Sequence, residues 1–392
     1  MKKLLLGTAA VALGLSFGAG SAQAEGVKLS VGGHAKAYVA WNDQDDNRGA
    51  GNEEARDFDI LRETELHFSG ETTLDNGLTV GAHFELDLDN GSDTVNSEEG
   101  YLYFSGAWGR TNFGKEDGAA YLLQVSVPSA DSNIDGLRQY VQPVNYGSLI
   151  NAATVSNTED TNVEVSYDQD VSAKNDKITY ITPVFSGFQA GVSYTPELND
   201  ASNGLDGVNF DDETSQFGDV FDVAVRYEGQ FDEVGVNFGA GYTHASLEEE
   251  AAAAVNVVSD DRTAWNVALD LDWGPFGIGA SYSEDDNGEV ATGDVATEAV
   301  DDEEILVVGV DYTTGAFKLG ASYYNSDNSF GISELETERY SAGVVYTYGP
   351  GMTFRGSVHY IEHDNLDDAG GVNAAIDDAD ATSILVGTQI NF

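Results

Sequence analysis

The chain has 392 residues, no cysteine, and 68 acidic against 17 basic side chains, a formal net charge of −51. Phosphate backbones need Lys and Arg, so this balance excludes a nucleic-acid partner, and the lack of cysteine excludes a disulfide framework. Acid-rich chains are often disordered, but 45 Gly, 19 Tyr and 18 Phe set in regular apolar alternation argue against disorder outside loops.

Residues 1–24 read as a cleaved secretory signal. Lys2 and Lys3 form a positive start, Leu4 to Phe17 are apolar or small, and Ala22-Gln23-Ala24 is a small-x-small cleavage site. Cleavage would leave 25–392 as one unit. No later stretch approaches ~18 consecutive apolar residues, so no transmembrane helix is expected. Barrel strands remain open, since each spans with ~10 alternating residues.

From there the sequence alternates with period two. Val80, Ala82, Phe84 and Leu86 stand against Thr79, Gly81, His83, Glu85 and Asp87. Phe221, Val223, Val225 and Tyr227 stand against Asp222, Ala224, Arg226 and Glu228. Trp265, Val267, Leu269 and Leu271 oppose Ala264, Asn266, Ala268 and Asp270, and Phe354, Val358 and Tyr360 oppose Arg355, Ser357 and His359. A soluble sandwich would alternate too. Three features favour a membrane barrel: aromatics at strand ends (Trp41, Tyr194, Tyr282, Tyr312, Tyr348, Phe392), a polar face charged along its length, and connections of alternating length.

Seven tight turns are expected, at Asp75–Gly77, Ala107–Gly109, Phe185–Gly187, Gln230–Glu233, Gly274–Phe276, Thr314–Gly315 and Tyr348–Gly351. Eight long polar connections lie near 42–57, 90–97, 116–175, 197–218, 246–260, 286–302, 327–334 and 365–381. Together they predict a closed, all-β antiparallel barrel of sixteen strands with short periplasmic turns and long extracellular loops. The third long loop, 116–175, is too long to be an idle connection. It is expected to fold into the lumen and narrow it. Within it, TNVEVSYD at 161–168 alternates like a strand, but counting it would make seventeen and break the turn–loop order, so it is assigned to the loop.

These segments resemble the general diffusion porins of Gram-negative outer membranes. The likeness runs through KLSVGGHAKAYVAW, ETELHFSGETTLDNGLTVGAHFELD, the YLYFSG–FGK hairpin, YITPVFSGFQAGVSYTPE and the terminal ATSILVGTQINF. It implies a homotrimer in lipid and lipopolysaccharide, passive diffusion of small hydrophilic solutes and ions, and a terminal Phe392 offered to the barrel-assembly machinery. It also implies a constriction in which acids on the third loop face basic residues on the wall. The loop supplies Glu116, Asp117, Asp131 and Asp135, the last two where the loop should cross the lumen. The wall departs from the family pattern: Glu65 and Tyr101 stand where relatives tend to carry Arg. His34, Lys36, His67, His83, Glu85 and Asp87 share the inward parity of the first strands, and Arg226, Arg262, Arg339 and Arg355 that of later ones.

A pore selects by width and by the sign of its lining. The acids Asp131, Asp135, Glu65, Glu85 and Asp87 lead to an expected cation preference. The alternatives are a solute-specific channel, hinted at by Tyr101, Tyr103 and Tyr324, and an adhesive barrel. Within residues 25–392, no Ser/His/Asp order, GxSxG or HExxH points to an enzyme. No cofactor is expected. Ca2+ or Mg2+ on the acid runs 43–47, 211–213 and 377–381 is a weaker option, because a distal bidentate Glu is lacking. The three histidines read as polar lumen residues.

Overall fold

The computed structural model describes residues 26–45, 54–89, 95–149, 165–198, 216–249, 257–291, 302–329, 334–365 and 378–392. Residues 1–24 and the acid run 211–213 lie outside them. The strands are β1 (Lys28–Gln44), β2 (Phe58–Thr73), β3 (Thr79–Asp87), β4 (Asn96–Gly106), β5 (Gly109–Lys115), β6 (Asp176–Ile181), β7 (Phe188–Glu197), β8 (Phe217–Phe231) and β9 (Val234–Leu247). They continue with β10 (Val257–Ser259), β11 (Arg262–Trp273), β12 (Phe276–Asp285), β13 (Glu289–Ala291), β14 (Glu303–Thr314), β15 (Phe317–Ser329), β16 (Glu334–Gly349), β17 (Met352–Asp364) and β18 (Ala379–Asn391). Two one-turn helices, α1 (Ala119–Leu122) and α2 (Tyr146–Leu149), lie between β5 and β6.

Sixteen strands close into one antiparallel barrel, and β10 pairs with β13 as a separate ribbon. Closure is made by β1 against β18, in register from His34↔Asn391 to Gln44↔Ala381. The Gly33 and Phe392 amides and carbonyls exchange two 3.1 Å hydrogen bonds at its end. All seven tight turns predicted from the sequence join neighbouring wall strands. No described helix is long and apolar enough to cross a membrane.

The two strand faces separate as the alternation requires. Ile60, Val223, Ile278, Leu319, Phe354 and Val386 point outward and stay exposed, Ile60 at 65% and Val386 at 56%. A water-facing wall would not leave a continuous belt of such residues, whereas hydrocarbon requires one. Aromatic pairs ring both ends of the belt. Phe188–Tyr227 (4.6 Å), Phe276–Tyr312 (5.0 Å) and Phe317–Tyr346 (4.7 Å) lie towards the short turns. Trp41–Phe58 (5.5 Å), Tyr194–Phe221 (4.9 Å) and Trp265–Tyr282 (5.3 Å) lie towards the long loops. Amphipathic rings settle at the two interfaces of a bilayer.

The Val223→Lys variant, at the middle of β8 on the outer face, is expected to lose about 2–4 kcal/mol, the usual penalty for a cation at the bilayer midplane. Urea titration of protein folded into lipid vesicles measures this; a neutral effect would mean that the face meets water.

Candidate functional site: the lumen and its inserted segment

After β5 the chain turns inward and lies along the inner wall. Its path is set first by glycines. A methyl group added at Gly309 would overlap the Pro128 carbonyl oxygen, and one at Gly320 would overlap that of Ser129. Gly239 and Gly241 likewise lie against Leu123, Val125 and Ala120. The inward parity of β9, β12, β14 and β15 is thus stripped to backbone where the segment crosses.

Hydrogen bonds then fix it. The Ala119 N–H donates to Ser193 Oγ (3.0 Å), and Ser193 donates to Asp222 (2.6 Å). Gln169 Nε2 donates to Thr243 Oγ1 (2.8 Å) and to the Ala264 carbonyl (3.0 Å). Apolar contacts complete the seam, with Val127, Leu149, Val165 and Tyr167 packed against Val307, Tyr324, Leu335 and Ile361. Residues 165–168 form no strand, and 161–164 lie outside the described residues.

The two acids expected to face the solute path are instead enclosed. Asp135, fully buried, accepts from the Ala130 and Asp131 amides (2.9 and 2.7 Å) and from the Ser322 hydroxyl (2.6 Å). Asp131 accepts from Tyr38 (2.9 Å) and from Arg355 Nη1 (2.6 Å). Both fasten the segment to β1, β15 and β17. Asp131 lacks a free charge because Arg355 neutralises it.

The wall arginines are equally structural. Arg339, buried, donates to the Ile134 and Val165 carbonyls (3.2 and 3.0 Å) and lies over the Tyr324 ring. Arg262 forms a two-pronged pair with Asp285, both contacts 2.9 Å. Arg226 is 3.7 Å from Glu228 at the partly exposed short-turn end. Within the segment, Asp117 is 3.6 Å from Arg138, which also binds Asp168 (2.7 Å) and Asp170 (2.5 Å). Arg138 is the only arginine between 116 and 175 and carries this knot. Its role was not legible, because its partners lie thirty residues away in the chain.

The remaining wall residues gather on β1 to β5, away from the glycine track. Lys36 reaches Glu63 (2.5 Å) and sits over the Tyr140 ring. His34 also contacts Glu63 (2.8 Å). Glu63 shares Glu65's inward parity, so the ETE run already held the signal for it. His67 lies 3.2 Å from Glu85 and 3.5 Å from Glu65, and its side chain is 31% exposed. His83 contacts Glu85 (2.8 Å). Asp87 accepts from the Asp89 amide (2.7 Å). Tyr101 leans on His83, ring centroids 5.3 Å apart, and Arg110 lies 4.0 Å above the Tyr103 ring. The β3–β4 pairing slips between Phe84 and Leu86, where β4 carries one extra residue, and Glu98 in this bulge lies beside Glu85. Glu98 in turn holds Lys174 at 2.7 Å.

Glu116, at the root of the segment, accepts from Asn112 (2.8 Å), and its carbonyl accepts from the Lys177 ammonium. Burial pushes its carboxyl up to about 7, against the opposing pull of Asn112, Thr179, Arg110 and Lys177.

Two kinds of comparison place this arrangement among known proteins. A family model described as Gram-negative porin matches residues 7–366. No curated protein matches the chain. Among solved structures, the anion-selective porin from Comamonas acidovorans is similar at 16% identity and TM-score 0.60, covering 94% of this chain and all of that one. The trimer form of OmpT, an outer membrane protein of Vibrio cholerae, is similar at 14% identity and TM-score 0.56, covering 94% of this chain and all of its own. A variant of the Rh. blastica porin follows at 16% and 0.53, covering 93% and 100%.

Two outcomes follow from the anchoring. Arg355→Gln leaves Asp131 buried and unpaired, so the segment's attachment should weaken by about 3–5 kcal/mol; single-channel recordings should show larger and noisier openings. For Glu116, a folded-state value raised to about 7 means that stability is full below the ordinary carboxyl range near 4.5 and is lost as pH rises through 7. Thermal unfolding should therefore show a drop from pH 5.5 to pH 8 that shrinks in Glu116→Gln.

Proposed function

We propose that this chain, which belongs to the Gram-negative porin family, passes small hydrophilic solutes and ions through the outer membrane by diffusion and prefers cations. The observation that carries the sign is the convergence of Glu65, Glu85 and Glu98, whose carboxylate oxygens lie within 4.8 Å of one another on the wall left clear of the glycine track. Three opposing charges are engaged elsewhere, Arg355 with Asp131, Arg138 with three aspartates and Lys36 with Glu63, while Lys174 pairs with Glu98.

The magnitude is adequate. Unit charges 4 Å apart interact by about 1 kcal/mol in water and about 4 kcal/mol at an effective dielectric of 20. Each 1.4 kcal/mol is tenfold in an equilibrium. Charges on the outer loops act less, because the Debye length is ~8 Å at physiological salt. The selectivity residues in this reading are Glu65, Glu85 and Glu98, rather than Asp131 and Asp135. The Comamonas acidovorans porin is anion-selective; the acid wall here supports the opposite preference. The inserted segment narrows the path by covering the opposite wall. Assembly as a homotrimer is part of the same proposal, supported by the trimer form of the similar OmpT.

A second reading, a solute-specific channel, draws on the Tyr101, Tyr103 and Arg110 strip, where a guanidinium lies 4.0 and 5.7 Å from the two rings. Current block by a sugar at micromolar concentration would favour it.

Reversal potentials in a KCl gradient test the main reading. Cation preference is expected in the native protein, falling several-fold in the combined Glu65→Gln, Glu85→Gln and Glu98→Gln variant. Anion preference in the native protein would reject it.

A further inference from the structure

We propose that His67, His83 and Glu85 form a binding site for a divalent transition-metal ion on the lumen wall. The residues come from neighbouring strands, with His67 directly opposite Glu85 in the β2–β3 register and His83 two residues before it. Their ligand atoms all lie within 4.8 Å of one another. Glu85 Oε1 is 3.2 Å from His67 Nδ1 and 2.8 Å from His83 Nε2. Metal–ligand bonds of about 2.1 Å in a tetrahedral site set donors about 3.4 Å apart. Small side-chain rotations would therefore admit an ion.

One of the imidazoles, His83, also has a hydrogen-bond partner on its far nitrogen. His83 Nδ1 lies 2.7 Å from Ser69 Oγ, and His67 Nε2 lies 3.5 Å from Glu65 Oε1. A ligating histidine donates its other N–H to such an oxygen, which fixes the ring and the tautomer. With Nδ1–H directed at Ser69, His83 presents the lone pair of Nε2 to the ion. His67 Nε2 makes no hydrogen bond, and its Nδ1 lies on the Glu85 side, 3.2 Å from Oε1.

The electrostatics favour a dication. Glu65, Glu85 and Glu98 crowd together, and the cation on Glu98 is Lys174. The mixed nitrogen and oxygen donors favour zinc, copper, nickel or cobalt over calcium and magnesium, which take oxygen. A second triad, His34, Glu65 and His67, shares His67. There, Lys36 reaches Glu63, which also engages His34, and this ammonium opposes a dication.

Isothermal titration of ZnCl2 into the folded full-length chain in detergent at pH 7.5 tests the site. Saturable binding of about one Zn2+ per chain is expected, unaffected by excess MgCl2. His83→Ala and Glu85→Gln should abolish it, and Ser69→Ala, which retains all three ligands, should weaken it about 10-fold or more. The Ser69 variant keeps the test decisive if a ligand variant fails to fold. Absence of saturable binding, or zinc binding unchanged by all three substitutions, would overturn the proposal.

Discussion

Hydrocarbon offers no water to a backbone N–H, so a sheet persists there only if every strand has two neighbours. The pairing of β1 with β18 satisfies this condition, and everything else in the molecule depends on it. Once the sheet is closed, its outward parity must be apolar and its inward parity is free to be polar. The chain can then carry a charge of −51 without losing its apolar exterior. The same closure replaces the disulfides that the chain lacks.

Inside the cylinder, a second condition governs function. Where the inserted segment comes closest to the wall, at Pro128 and Ser129, the wall residues are the glycines Gly309 and Gly320. The segment is held there by Asp131, Asp135, Arg339 and Arg355, charged groups that a reading by residue type would assign to solutes. Buried charges persist when paired or fully hydrogen-bonded, and pairing removes them from selectivity. The charges left to act on a permeating ion are on β1 to β4, where Glu65 and Glu85 have histidine partners and Glu98 is paired with a lysine, Lys174.

The barrel was legible because a period of two and a regular order of turns are local properties. The strand count, the seven turns and the aromatic ends follow from residues close together in the chain. The inward parities of His67, His83, Glu85, Arg355 and the others were equally readable. What they touch was not. The Asp131–Arg355 pair spans 224 residues and the Asp135–Ser322 bond 187. Arg138 gave no sign of its three aspartates. The glycines that admit the inserted segment looked like ordinary barrel glycines. Sequence order sets which way a side chain points, whereas the partner it meets is set by closure.

The central claim is that the apolar face meets lipid while the polar face encloses a continuous aqueous path. Adding the purified, folded protein to a planar lipid bilayer in KCl tests it most directly. The account predicts stepwise, ohmic increases in current as single barrels insert. A folded protein that remains soluble without detergent, or that enters the bilayer and passes no current, would contradict it.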